Sequence, residues 1–170
     1  MHPLRTLKSQ AEEPVGYATR LTGKVIVLNE AGEVLLFGGL LLGGGIEEHE
    51  SIEEGVRCEC LEEAGVTIGE LHPLGQVFQF RDVYKKRYEF PGFFANFVEQ
   101  ASDPTTANAG ERQRTKVRTA IPEAIQSLRA EVERIEQAGS LHPETDAYQS
   151  ELFNTQTRLA FLETYVTGRN

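Results

Sequence analysis

Short runs of β-branched and apolar residues, separated by turn-forming residues, mark the first hundred positions of the chain. Residues 23–28 (Gly-Lys-Val-Ile-Val-Leu) and 33–37 (Glu-Val-Leu-Leu-Phe) flank the turn-like segment Asn-Glu-Ala-Gly. Two such runs with such a linker predict a β-hairpin. Similar runs predict strands over residues 76–80, 88–90 and 93–98, with Pro91-Gly92 marking a bulge or an edge.

The second half of the chain has helical spacing instead. Residues 102–110 are rich in small and turn-forming residues, which predicts a loop, and residues 116–121 could return to the sheet. From Ile121 onward apolar residues recur four and three apart, which predicts an amphipathic helix ended by Gly139. A second helix is predicted around residues 148–166, with Thr145 as N-cap. This pattern favours a helical layer packed on the sheet and leaves a homodimer interface as the alternative.

A third helix is predicted between the two halves, directly after a run of three glycines at residues 43–45. Ser51 is followed three residues later by Glu54, the spacing of a capping box, so the helix should begin at Ile52. Gly65 is placed to end it in the left-handed conformation. The segment therefore predicts a glycine loop, about three turns of helix, and a sharp exit.

Composition narrows the class of protein. A chain of 170 residues with 39% hydrophobic content is large enough for one domain with a real core. Its formal net charge of -9 argues against a surface for polymeric nucleic acid, which would need clustered cations. No apolar run is long enough to span a membrane, so we expect a cytoplasmic protein. Cys58 and Cys60 point in different directions on the predicted helix and predict neither a disulfide nor a zinc site.

Three glutamates on the helix after the glycines carry the candidate chemistry. Glu59, Glu62 and Glu63 are spaced by three and four residues, so their carboxylates share one face. Glu63 also continues the apolar stripe of Ile52 and Val56, where an uncompensated charge is costly. Hard cations such as Mg2+ bind oxygen ligands and accept phosphate oxygens in their shell. A metal-phosphate complex is one interpretation, and a solvated acidic face is the other.

The segment resembles the Nudix box, the pattern G-x5-E-x7-R-E-U-x-E-E-x-G-U in which U is a bulky aliphatic residue. The pattern is matched at the correct spacing by Gly44, Glu50, Glu59, Glu62, Glu63, Gly65 and Val66. Such a match is far more specific than a lone glycine motif. The sequence departs from the pattern at Cys58, where the family has an arginine that orients the box glutamates, and at Cys60, where it has an aliphatic residue. Arg57 lies about 100 degrees away around the helix and cannot simply make the same contact.

The resemblance implies an α+β fold, which is an α/β/α sandwich around a mixed β-sheet with additional C-terminal helices. It also implies a single domain over residues 1–170. In that domain we expect an arm at 1–20, a core at 22–128 that contains the box at 44–66, and a helical extension at 129–170.

The resemblance also implies the ligands of a divalent metal. Carried over residue by residue, the carboxylates of Glu59, Glu62 and Glu63 and the carbonyl of Gly43 would bind Mg2+, with Mn2+ as a substitute. Many members take a further ligand or a general base from a later loop, and Glu111 is the candidate here. An ordinary exposed glutamate is the alternative interpretation of that residue.

Other residues have supporting or weaker assignments. Gly44, Glu50 and Gly65 would support the metal site. His49 occupies a variable and exposed box position, which favours a solvated side chain over an acid-base role. Arg81 and Tyr84 lie beyond the box, where relatives vary with their substrate.

For function, the resemblance implies a MutT-like pyrophosphohydrolase. The enzyme would use a metal-activated water to cleave the pyrophosphate linkage of a nucleoside diphosphate joined to a group X. The alternative is a Nudix-fold protein that senses a nucleotide with little or no turnover, which the substitution at Cys58 favours. The complete set of box glutamates favours the enzyme.

Overall fold

Eight strands and three helices form the part of the chain that the computed structural model describes, namely residues 1–10, 12–105, 114–139 and 146–168. Their order and bounds are β1 Pro3–Leu7, β2 Ala18–Leu21, β3 Lys24–Leu28, β4 Glu33–Phe37, α1 Ile52–Ala64, β5 Val66–Ile68, β6 His72–Arg81, β7 Lys86–Gln100, β8 Lys116–Ala120, α2 Ile121–Gly139 and α3 Asp146–Thr167. The predicted hairpin is confirmed as β3 and β4, which pair in antiparallel orientation. The predicted return to the sheet after the loop is confirmed as β8.

The strands form a mixed sheet in the order β1-β6-β7-β3-β4-β8, with β2 and β5 also paired to β7. The long strand β7 is antiparallel to β6 on one side and parallel to β2 and β3 on the other. The segment predicted as an arm or an edge contributes β1, which is parallel to β6 at one edge of the sheet. The strand β7 is therefore the centre about which the sheet is built.

The prediction for Pro91-Gly92 was partly wrong. Strand β7 runs through both residues and has neighbours on both sides, so they do not mark an edge. A register shift does occur opposite Gly92, but the additional residue belongs to β6, between Pro73 and Gly75. On one side of β7, the pairing with β2 ends at Glu89 and the pairing with β3 begins at Gly92. Pro91 lies between these two pairings, which is why a proline is tolerated inside the sheet.

Alternate residues of β3 serve two separate cores. Val25 and Val27 pack on the face that is covered by α1, whereas Ile26 and Leu28 pack on the face that is covered by α2 and α3. All four side chains are buried, and burying each one stabilises the fold by roughly 1.5–3 kcal/mol. This arrangement confirms the predicted α+β sandwich, with helices on both faces of a mixed sheet.

The helix α1 has the ends that its sequence predicts. The Ser51 hydroxyl accepts the backbone N–H of Glu54, whose carboxylate accepts the N–H of Ser51 in return. Gly65 ends the helix at φ 66°, a conformation that glycine adopts without steric cost. A Cβ at Gly23 would lie 2.3 Å from a methyl carbon of Val56, so the helix packs very close to the start of β3.

The two C-terminal helices form the predicted layer on the opposite face. The ion pairs Arg129–Glu163 and Arg134–Glu151, each at 2.7 Å, join α2 to α3. The buried ring of Phe161 on α3 lies over Gly92, where a Cβ would come within 2.1 Å of it. Thr145, the predicted N-cap of α3, lies outside the described residues. In the described ranges, no helix has the length and apolar character needed to cross a bilayer.

Candidate active site

A cavity of about 590 Å3 opens where the glycine loop, α1 and α3 meet. The helix α1 supplies carboxylates, while β2, β3, β6 and α3 supply cationic and polar groups. Its lining among the described residues is Arg20, Thr22, Lys24, Leu40, Leu41, Gly43, Gly44, Gly45, Glu59, Glu62, Glu63, Arg81, Tyr88, Phe90, Arg114, Asn154, Thr157, Arg158 and Phe161. The three predicted glutamates and all three glycines of residues 43–45 therefore line one cavity.

Glu63 is the most enclosed of the three glutamates, with only 7% of its surface exposed. Its burial agrees with its position in line with the apolar stripe of α1. The backbone N–H of Gly43 donates a hydrogen bond of 3.0 Å to Oε2 of Glu63. Arg114, just before β8, brings a guanidinium nitrogen to 3.8 Å from Oε1 of the same carboxylate. The N–H of Gly43 and the guanidinium of Arg114 thus both help to compensate this buried carboxylate.

Glu59 lies against the glycine loop. A Cβ at Gly44 would lie 2.2 Å from Oε1 of Glu59, so a larger residue there would require this carboxylate to move. The loop is fixed along β3, because the N–H of Gly23 donates to the carbonyl of Gly44 at 2.9 Å. The N–H of Val25 likewise donates to the carbonyl of Leu42 at 3.0 Å. The third glutamate, Glu62, is exposed on the cavity wall.

Lys24, the first residue of β3, reaches into the same corner. Its Nζ donates a hydrogen bond to the carbonyl oxygen of Gly43. Burial lowers the pKa of the Lys24 ammonium from its usual value, while the negative charges of Glu63 and Glu59 raise it against that trend. The Gly43 carbonyl, which we expected to bind a metal, therefore accepts a hydrogen bond from an ammonium group in this structure.

The chemistry of the donors at this corner fits a divalent metal. Carboxylate and carbonyl oxygens are the ligands that Mg2+ prefers, and the missing Cβ of Gly44 lets the Glu59 carboxylate lie against the glycine loop. Across the described ranges, no three His, Cys, Asp or Glu side chains already stand as a preformed ligand group. Mg2+ is commonly bound through one or two carboxylates, with waters and substrate phosphates completing the shell. The arrangement suits a metal that arrives together with a phosphorylated ligand.

Cationic side chains also line the cavity. Arg81 is buried at the end of β6, where its guanidinium lies 4.9 Å from the ring centre of Tyr88 and donates to Asn154 Oδ1 at 2.9 Å. Arg158 on α3 donates to the carbonyl of Gly39 at 2.7 Å. Arg20 at the end of β2 is exposed. With Lys24 and Arg114, five cations meet three carboxylates in a chain whose net charge is -9.

Other predicted site residues lie elsewhere. The Glu50 carboxylate accepts the N–H of Glu47 at 2.8 Å and is not among the described residues that line the cavity. His49 and Tyr84 are exposed and also lie outside that lining. Glu111 lies outside the described residues, so its proposed role stays a prediction.

The two cysteines of α1 differ in environment. Cys58 is exposed and Cys60 is buried. Burial, together with the charges of Glu63 and Glu59, raises the pKa of the Cys60 thiol to about 12. A thiol with such a pKa is a poor nucleophile near neutral pH. Arg57, the neighbour of Cys58, donates to the carbonyl of Ile68 at 2.8 Å, so its guanidinium is engaged with β5.

Restoring the family's arginine should be tolerated. Because Cys58 is exposed, the substitution Cys58→Arg should shift the melting temperature by less than about 2 °C, the range of ordinary surface substitutions. The new cation would lie one helical turn from Glu62 and should preserve or raise turnover. Thermal melting and steady-state kinetics would check both expectations, and a clear loss of stability would contradict them.

The sequence did not predict several of the residues that line the cavity. Asn154, Thr157 and Phe161 come from α3, which the pattern predicted only as a packing layer. Tyr88 appeared as an ordinary strand residue. A signal was available for Lys24, because it has the same parity in β3 as the buried Ile26, and a lysine on a buried face needs a partner.

Comparisons with known proteins concern most of the chain. A family model described as NUDIX domain matches residues 19–138. A NUDIX hydrolase from Nitrosomonas europaea has a similar structure, with a TM-score of 0.57 and 16% sequence identity over 89% of this chain and 91% of that one. A MutT NUDIX hydrolase from Burkholderia pseudomallei gives a TM-score of 0.51 and 18% identity, over 61% of this chain and 84% of that one. At such identities the likeness concerns the fold alone. No curated protein matches the chain.

Proposed function

Since the chain belongs to the family defined by the NUDIX domain, we propose that it is a Mg2+-dependent pyrophosphohydrolase acting on a nucleoside diphosphate linked to a group X. The observation that carries this proposal is the cavity itself. Glu59, Glu62 and Glu63 line it together with cationic side chains, within an acidic chain. Carboxylates beside cations suit a metal-bound, negatively charged phosphate ligand.

The glutamates of α1 would hold the metal. Glu62 is exposed to the cavity, and the Glu59 carboxylate lies against Gly44, so both would be ligands of an ion at the loop. Glu63, which is held by the N–H of Gly43, would be the third carboxylate ligand. When bound, the metal supplies the Lewis acidity that lowers the pKa of a water and neutralises charge on the phosphates.

Cationic side chains of the cavity would bind and orient the substrate phosphates. Arg20 is exposed at the cavity mouth, where its guanidinium can approach a phosphate oxygen. Arg81 also lines the cavity, where Tyr88 and Asn154 hold its guanidinium in place. Holding the phosphates between these residues and α1 would align the attacking water and the leaving group.

A carboxylate of the site would accept the proton of the attacking water. Glu59 is the candidate among the described residues, because it lies against the loop and faces the cavity. Glu111 is the candidate from the later loop. Products would be a nucleoside monophosphate and phosphorylated X, or a monophosphate and pyrophosphate from a triphosphate.

The position of the broken bond gives the test of this function. A panel of nucleotide derivatives should be hydrolysed only with Mg2+ or Mn2+. Reaction in water enriched in oxygen-18 should place the label in a phosphate of one product, because water attacks phosphorus directly. Neither a burst of product nor a covalent enzyme adduct is expected. Trapping a nucleotidylated protein, or finding the label in a sugar or base, would contradict the mechanism.

A nucleotide sensor is the second candidate, and the specific observation that favours it is Cys58 in place of the arginine that orients the box glutamates. A sensor would bind members of the same panel with metal and release no product. Calorimetric binding without turnover, unchanged by Cys58→Arg, would favour the sensor. Turnover in the unmodified protein would exclude it.

A further inference from the structure

Lys24 places a positive charge in the corner of the cavity that is proposed to hold the metal. Its Nζ donates to the carbonyl oxygen of Gly43, one of the proposed metal ligands. The carboxylates of Glu63 and Glu59 are the largest negative charges acting on this ammonium. The protein therefore supplies a cation of its own where a divalent ion is expected.

The backbone of Lys24 lies directly beside that of Gly43. A Cβ at Gly43 would lie 2.2 Å from the carbonyl oxygen of Gly23 and 3.2 Å from Cα of Lys24, so the loop and the strand are in direct contact. Hydrogen bonds from Gly23 and Val25 to the loop hold the two segments together. The pairing of the loop with β3 thus keeps the Gly43 carbonyl within reach of the Lys24 ammonium.

The helix α1 does not supply the positive charge that the family places beside its box glutamates. Cys58 is a neutral residue at the position of the family's arginine, and the guanidinium of Arg57 is engaged with the carbonyl of Ile68. Arg114 lies 3.8 Å from Glu63 and compensates part of the negative charge. Lys24 adds a second positive charge from β3, and the charges of Glu63 and Glu59 act on it.

Building on the metal-dependent function proposed above, we propose that Lys24 is a positioning residue that acts as an internal counter-ion. In the metal-free protein its ammonium compensates Glu59 and Glu63 and holds the Gly43 carbonyl. A divalent ion that binds the same carbonyl must displace this ammonium, because two cations so close together repel. Lys24 would therefore stabilise the empty site and weaken its affinity for the metal.

Binding of Mn2+ alone to the full chain, followed by electron paramagnetic resonance, tests the competition directly. Lys24→Met removes the charge and keeps much of the volume. It should bind Mn2+ about tenfold more tightly than the unmodified protein, a difference of about 1.4 kcal/mol. Its melting temperature in a chelator should be about 2–4 °C lower, and saturating Mn2+ should recover that loss. Lys24→Gln, which keeps a donor without the charge, should show the same gain in affinity if Lys24→Met does not fold.

Lys116 offers a matched control. Its Nζ also donates to a backbone carbonyl, that of Ala64, at 3.0 Å, but it does not line the cavity. Lys116→Met should lose stability that Mn2+ does not recover, and its affinity for Mn2+ should stay that of the unmodified protein. Equal affinities in the unmodified protein and both Lys24 variants would overturn the counter-ion role alone. Absence of Mn2+ binding in all of them would overturn the metal-dependent function and this inference with it.

Discussion

Replacing Glu62 with glutamine is expected to lower kcat at least about a hundredfold, equivalent to about 2.7 kcal/mol of transition-state stabilisation. The carboxylate of Glu62 is exposed on the cavity wall and contributes little to packing, so the substitution should leave the fold intact. Its loss would remove a proposed metal ligand without opening a cavity in the core. Steady-state kinetics at saturating Mg2+, with thermal melting beside it, would measure both effects.

Glu53 on the same helix is the matched control for that substitution. It is exposed in the first turn of α1 and does not line the cavity. Glu53→Gln should keep turnover unchanged and cost less than about 1 kcal/mol of stability, through the helix dipole. Wild-type turnover in Glu62→Gln at saturating metal would show that the site has been assigned to the wrong residues.

Replacing Gly43 with alanine is expected to destabilise the protein by about 3 kcal/mol and to lower its melting temperature by about 6–12 °C. Gly43 has φ 117°, where an alanine is strained, and the new Cβ would lie 2.2 Å from the carbonyl oxygen of Gly23. To relieve this contact, the loop would have to shift. The shift would disturb the N–H that Gly43 donates to Glu63 and the carbonyl that accepts from Lys24. Turnover should therefore fall as well.

Gly39 separates the two causes of this loss. It also has a positive φ, 78°, but a Cβ there would meet no atom within 4 Å. Gly39→Ala should therefore lose only about 1 kcal/mol from backbone strain. Chemical denaturation of both variants would compare them, and equal losses would show that the contact between the loop and β3 is not tight.

Local signals in the sequence predicted α1 correctly because each of its features involves neighbours along the chain. The capping box of Ser51 and Glu54, the terminal Gly65 and the burial of Glu63 all follow from spacing within one helix. The hairpin of β3 and β4 has the same origin. Short-range physics decided these elements, so a single sequence was enough to predict them.

The remainder of the site depends on contacts between residues far apart in the chain. Arg81 meets Asn154 across more than seventy residues, and Arg158 meets Gly39 across more than a hundred. Nothing in the spacing of α3 distinguishes a wall of a cavity from an ordinary packing face. The prediction of an edge at Pro91-Gly92 was wrong for the same reason. The gap between β2 and β3 that accommodates the proline exists only in the assembled sheet.

The position of α3 also determines when the site can form during synthesis. The ribosome releases the chain from its N-terminus, and a domain generally folds as a unit. A nascent chain that has released α1 and β7 already carries the three glutamates. It lacks Asn154, Thr157 and Phe161, so the side of the cavity that closes over Gly92 is still missing. The glutamates are therefore synthesised well before the α3 residues that would hold a substrate against them. The complete site can form only after α3 has emerged.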